Sequence, residues 1–212
     1  MSNRYKKLYN QIYNAIPKKM FANELGIEAC AVSIYLTAQD VRPACAPFDG
    51  DGRYGGMYGN EMFKKMTETK IGKNALKKLG KINKLKIVIG PYSDVGNFIL
   101  VVNKDRYNEL KPILKRISNI PKPTDEKHIL IGKMLGYVCP MSLRKIHKMV
   151  ESGIPIYSIR FMVNETRQMP VSCPIDMKYI KKSIKLLNEM KIVLEKIDKN
   201  VELIISLKNK LF

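Results

Sequence analysis

Two almost wholly apolar runs, Leu85–Ile89 and Phe98–Val102, flank the turn-rich stretch Gly90-Pro91-Tyr92-Ser93-Asp94-Val95-Gly96. Valine, isoleucine and phenylalanine favour a pleated, buried surface, and Gly, Pro, Ser and Asp punctuate it. The pattern predicts two antiparallel strands. Strands without a polar side need cover, so helices are expected on at least one face. Cys30–Leu36 (CAVSIYL) and Ile154–Val163 (IPIYSIRFMV) also read as strands. The expected sheet therefore takes in 29–36, 84–90, 97–103 and 154–163.

Elsewhere apolar positions recur at spacings of three and four, the period of a helix. Tyr5, Leu8, Ile12 and Ile16 predict a helix over 3–15, broken at Pro17, with a short helix over 18–25 ending at Gly26. Residues 61–83 read as two helices divided at Gly72. Tyr107, Leu110, Leu114 and Ile117 predict a helix over 105–118 with Pro112 awkwardly inside it. Thr124 is placed to cap a helix over 125–136, and another is expected over 143–151. Residues 164–175 read as a loop. A long helix follows from Asp176 to about Lys199, then a shorter one to Phe212.

On the long helix Ile180, Ile184, Leu187, Met190, Leu194 and Ile197 form a stripe that calls for burial. Either the tail folds back over it, or the part beyond Leu194 meets another chain. The expected fold is α+β: a small, mostly antiparallel sheet covered by helices, with a long C-terminal helical appendage. The division is an α+β domain over 1–175 and a C-terminal helical segment over 176–212, packed on that domain or on a partner. Residues 180–211 are the expected contact for a homo-oligomer or protein partner.

Composition adds a partner class. The chain has 212 residues, 45% of them hydrophobic, enough for a core. No apolar run reaches the length of a spanning helix, and the polar N-terminus lacks a secretion signal, so no membrane is expected. Cys30, Cys45, Cys139 and Cys173 are too sparse for a disulfide framework. Reduced thiols and an intracellular setting follow: cytoplasm, nucleus or virion. The net charge of +19 implies attraction to polyanions, with nucleic acid foremost. Thirty of the 38 basic residues are lysines, hydrated point charges suited to phosphate backbones rather than base edges. The plainer account is a Lys-rich coding bias, as in AT-rich genomes, those of large DNA viruses included.

Four constellations could carry chemistry. The first is lysine-rich 64–86, where Lys73, Lys77, Lys81 and Lys84 share a face and Lys70 and Lys78 join them. A nucleic-acid contact would neutralise that face; the bland alternative is a solvated surface. The second is His128, Gly132 and Gly136 at i, i+4 and i+8, where bare backbone beside an imidazole admits a ligand or a tight helix crossing. The third is the glycine-rich stretch 40–60. Its Arg42 and Arg53 could clamp an anion, but Asp40, Asp49 and Asp51 lack the spacing of a calcium loop. The fourth is the cysteine set. With no CxxC and two histidines it predicts neither metal nor cofactor, and a thiol at Cys139 or Cys173 near His128 is the remaining catalytic option.

The preferred reading is a basic, non-enzymatic protein that binds nucleic acid or another polyanion within a larger assembly, a viral one among the options. One alternative is a small enzyme acting on a phosphate- or carboxylate-bearing substrate, with Arg42, Arg53, His128 and Arg167 as its catalytic candidates. The other is a structural protein that assembles through its C-terminal helix.

Overall fold

The computed structural model describes residues 2–21, 24–48, 59–91, 97–122, 124–136, 143–153, 156–163, 166–174 and 177–208. The element order is α1 (Ser2–Ala15), α2 (Glu24–Ala38), β1 (Ala44–Cys45), α3 (Gly59–Glu68), α4 (Lys70–Gly80), β2 (Leu85–Gly90), β3 (Phe98–Asn103), α5 (Tyr107–Ser118), α6 (Asp125–Met134), α7 (Leu143–Glu151), β4 (Ile156–Val163), β5 (Thr166–Pro174), α8 (Met177–Leu194) and β6 (Glu202–Lys208). A single 3-10 turn at Lys18–Met20 links α1 to α2. The architecture is α+β and helix-rich, with small antiparallel sheets and a C-terminal helix. One sheet runs β1-β3-β2 and the other β5-β4-β6.

The predicted hairpin is present and central. β2 pairs with β3 from Leu85↔Asn103 to Gly90↔Phe98. Successive side chains of a strand point to opposite faces. In β3 the alternation divides two cores. Ile99 and Val101 join a cluster with Ile12 of α1, Ile34 of α2, Leu79 of α4 and Leu187 of α8. Leu100 and Val102 join a second with Leu110, Leu114 and Ile117 of α5 and Met134 of α6. Each such side chain, fully buried, stabilises the fold by about 1.5–3 kcal/mol. Helices thus cover both faces of the strand.

Residues 29–36 are not a strand; they lie inside α2. Ile27, Ala31, Val32, Ile34, Tyr35, Leu36 and Thr37 are all nearly inaccessible. A helix buried on every side has no polar face, so it shows no period to read. Because α2 starts at Glu24, Gly26 lies inside it rather than at a helix end. The strand expected at 154–163 is β4, but it belongs to the second sheet. Its neighbours are the two segments read differently from sequence. The expected loop at 164–175 contains β5, and the described part of the expected tail helix is β6, antiparallel to β4.

The boundary between α3 and α4 falls at Thr69, not Gly72. The Thr69 side chain accepts from the Gly72 N–H at 3.1 Å and donates to the Lys65 carbonyl at 2.7 Å. Gly72 instead permits a close backbone approach. A Cβ there would stand 2.4 Å from the Lys65 carbonyl oxygen and from the Met66 Cα. On α8, Ser183, Leu187, Met190 and Leu194 face inward, as does Val201 beyond it. Ile184 and Ile192 remain exposed.

Candidate functional site

Helix α4 is held by one apolar side. Gly72, Ala75 and Leu79 are buried, and Leu76 is half-buried beside them. At 100° per residue the opposite arc holds Lys70, Lys73, Asn74, Lys77, Lys78 and Lys81, all exposed. Lys81 is the C-cap residue and keeps a helical conformation, so it stays on this arc. Lys84 does not. It lies in the turn before β2, where its ammonium meets Asp105 at 2.9 Å. Helix α4 itself carries no acidic residue. Among the described residues no carboxylate pairs with Lys70, Lys73, Lys77, Lys78 or Lys81.

Next to this face is a cleft of about 550 Å³, between α1, the end of α2 and the Ile82–Lys84 turn. Arg4, Lys7 and Gln11 of α1, spaced i, i+3 and i+7, line one side. Asp40, Asn103 and Asp105 lie on the other. Asn103 is almost wholly buried and pins this end of the fold. It donates to the Thr37 carbonyl at 2.9 Å, accepts from the Asp105 N–H at 2.9 Å, and its own N–H reaches the Pro43 carbonyl. Asp40 follows α2 with φ 61°. The Val41 N–H returns to the Leu36 carbonyl and the Asp40 N–H to that of Thr37, closing the helix end with a left-handed residue. Arg106 approaches the Asp40 carboxylate at 3.4 Å and binds Glu109 more closely. The Glu109 hydrogen bond, foremost, strengthens the guanidinium's hold on its proton.

The other sequence candidates separate. Arg42 spends its guanidinium on two backbone carbonyls, that of Ala44 at 3.0 Å and that of Leu135 at 3.2 Å. It staples β1 to the end of α6 rather than facing a ligand. His128 is half-buried on α6 and does not line this cleft. The Thr124 cap is as expected, accepting from the Lys127 N–H at 3.1 Å. Gly136, however, lies beyond the helix with φ +74°, and a Cβ there would sit 2.6 Å from the Pro43 ring. It lets the Arg42–Pro43 segment approach, a packing role. Arg53, Asp49, Asp51 and Cys139 lie outside the described residues, as do the side chains of Arg167 and Cys173. Cys30 and Cys45 are buried free thiols, and burial pushes both thiols up, away from the reactive thiolate.

A tyrosine cluster borders α1. Tyr9 stacks near Tyr13 and meets Tyr35 edge-on at 5.8 Å. The Tyr13 hydroxyl donates to Glu24; that bond, with some desolvation, pushes Tyr13 up to about 12. Burial pushes Tyr9 and Tyr35 up as well. These are packing groups. The cleft residues Arg4 and Lys7 were legible as part of a basic helix, since their i, i+3 spacing is in the sequence. That Asp40 and Asp105 line the same cleft was not, because the cleft gathers residues far apart in the sequence.

Among the described residues no helix is long and apolar enough to cross a membrane. No family model, curated protein or solved structure matches the chain.

Proposed function

We propose that the protein binds nucleic acid, or a similar phosphate polyanion, through the outer face of α4. The observation that carries this is the run of lysines on that face, exposed and without a described carboxylate. Like charges three and four residues apart on a helix repel one another, and a phosphate backbone removes that repulsion while releasing its own counterions. Lysine without aromatic interleaving suits backbone contact and not base stacking, so binding is expected to be indifferent to sequence.

The test is a salt titration of binding to duplex DNA and RNA. Lys70, Lys73, Lys77 and Lys81 are all replaced by Gln. Affinity should fall about equally across sequences. The slope of log K against log salt should flatten by roughly 0.9 for each duplex phosphate no longer neutralised. An unchanged slope and affinity would remove α4 from the interface.

A further inference from the structure

We propose that the cleft between α1 and the Ile82–Lys84 turn is a binding site for a small phosphate ester bearing free hydroxyls, of the ribose phosphate class. The cleft has two chemically different sides. On α1, Arg4 and Lys7 point the same way, one helical turn apart, and Gln11 continues the row. Among the described residues neither cation has a carboxylate partner. A guanidinium and an ammonium side by side suit a phosphate group. The two acids opposite do not cancel them. Asp105 is taken up by Lys84 at 2.9 Å, and Arg106 stands at 3.4 Å from Asp40.

Asp40 supplies the other half of the recognition. It occupies a left-handed position that glycine fills without strain, yet here it places a carboxylate on the rim, with just over half of its side chain exposed. A carboxylate repels phosphate but accepts hydrogen bonds from hydroxyls. A ligand with phosphate at one end and a diol at the other satisfies both sides; inorganic phosphate satisfies only one. The volume of about 550 Å³ lies within the range of about 300–1,000 Å³ usual for small-molecule sites. Lys70, Lys73, Lys77, Lys78 and Lys81 do not line it, so this site shares no side chain with the neighbouring polyanion face.

Calorimetry on the full chain with ribose 5-phosphate, inorganic phosphate and ribose tests the proposal. Ribose 5-phosphate should bind saturably and at least tenfold tighter than either fragment. The double variant Arg4→Gln, Lys7→Gln changes exposed side chains and should weaken it at least tenfold. Asp40→Asn keeps a residue that tolerates the left-handed backbone. It should abolish the preference for ribose 5-phosphate over phosphate while leaving phosphate binding intact. Lys73→Gln with Lys77→Gln should leave all three affinities unchanged, even if nucleic-acid binding is abolished. The proposal is overturned if the wild-type chain shows no saturable ribose 5-phosphate binding. It is equally overturned if the Arg4/Lys7 variant binds as well as wild type, if Asp40→Asn retains the preference, or if the α4 variant no longer binds the ester.

Discussion

Helices α4 and α5 both put basic residues into solvent on opposite sides of the same hairpin, but only the α5 side is answered by acids. There Arg116 pairs with Glu126 of α6 at 2.8 Å, and Arg106 with Glu109 at 2.5 Å. Lys86 of β2, facing the same helix, lies 3.4 Å over the Tyr107 ring. The lysines of α4 have no such neighbours. Among the described residues Lys111 and Lys115 of α5 have no carboxylate partner either, as a coding bias towards lysine would leave them. They are two, however, whereas Lys70, Lys73, Lys77, Lys78 and Lys81 gather five on one arc of α4 and its cap. That density is the contrast between the two helices. Exposed pairs like those of α5 are each worth only about 0.2–1 kcal/mol, so the contrast matters for what approaches the surface more than for stability.

The largest expected contrast is in binding. Replacing Lys111, Lys115 and Arg116 of α5 by Gln removes nearly as much charge as the α4 replacement. It should leave nucleic-acid affinity within about twofold and change the salt slope by less than about 0.9, the value of a single neutralised phosphate. Equal losses from the two helices would show a diffuse electrostatic effect, and the comparison would break.

Backbone changes come next. Gly72→Ala forces the α3 and α4 backbones apart and should cost about 3 kcal/mol or more, at the upper end of overpacking. By displacing α4 it should weaken nucleic-acid binding as well. Gly136→Ala meets both the Pro43 ring and an unfavourable φ, and should cost about 1–3 kcal/mol. It should leave nucleic-acid binding alone. Denaturant unfolding and the binding assay, run on both variants, separate presentation of the lysines from stability in general.

The smallest effects have opposite signs. Lys77→Gln relieves repulsion from Lys73 and Lys81 and should raise stability by a few tenths of a kcal/mol at low salt. Arg116→Gln removes its pair with Glu126 and should lower stability by about 0.2–1 kcal/mol. Both differences should shrink towards zero near 1 M salt, where the screening length is about 3 Å. If Lys77→Gln destabilises the chain, the face is not under strain.

What the sequence showed depended on whether a segment has one wet side. The hairpin was legible because Leu85–Ile89 and Phe98–Val102 stop at clear turn residues, and the observed strands begin where expected. Helices α5 and α6 were legible from Leu110, Leu114 and Ile117 and from Thr124. Helix α2 was not, since Ile27 through Ala38 has almost no exposed side to set a phase. Strand β6 was misread because the helical spacing of α8 continues through Val201 and Ile204 by coincidence. Its pairing with β4 outweighs that local pattern. In the site, the lysine face followed directly from spacing. The spending of Arg42 on carbonyls depends on where Leu135 ends up, which no local pattern encodes.

The divided allegiance of β3 has a consequence for how the molecule opens. Ile99 and Val101 belong to one core and Leu100 and Val102 to the other, so neither core can loosen without stripping one face of the same strand. Local openings that release α5 and α6, or α1 and α2, still leave β3 bonded to β2. The amide protons of Leu100 and Val102, whose N–H groups face β2, should therefore be among the slowest to exchange with solvent, at the rate set by global unfolding. Those of α7, an outer helix packed mainly on α6 and β5, should exchange first.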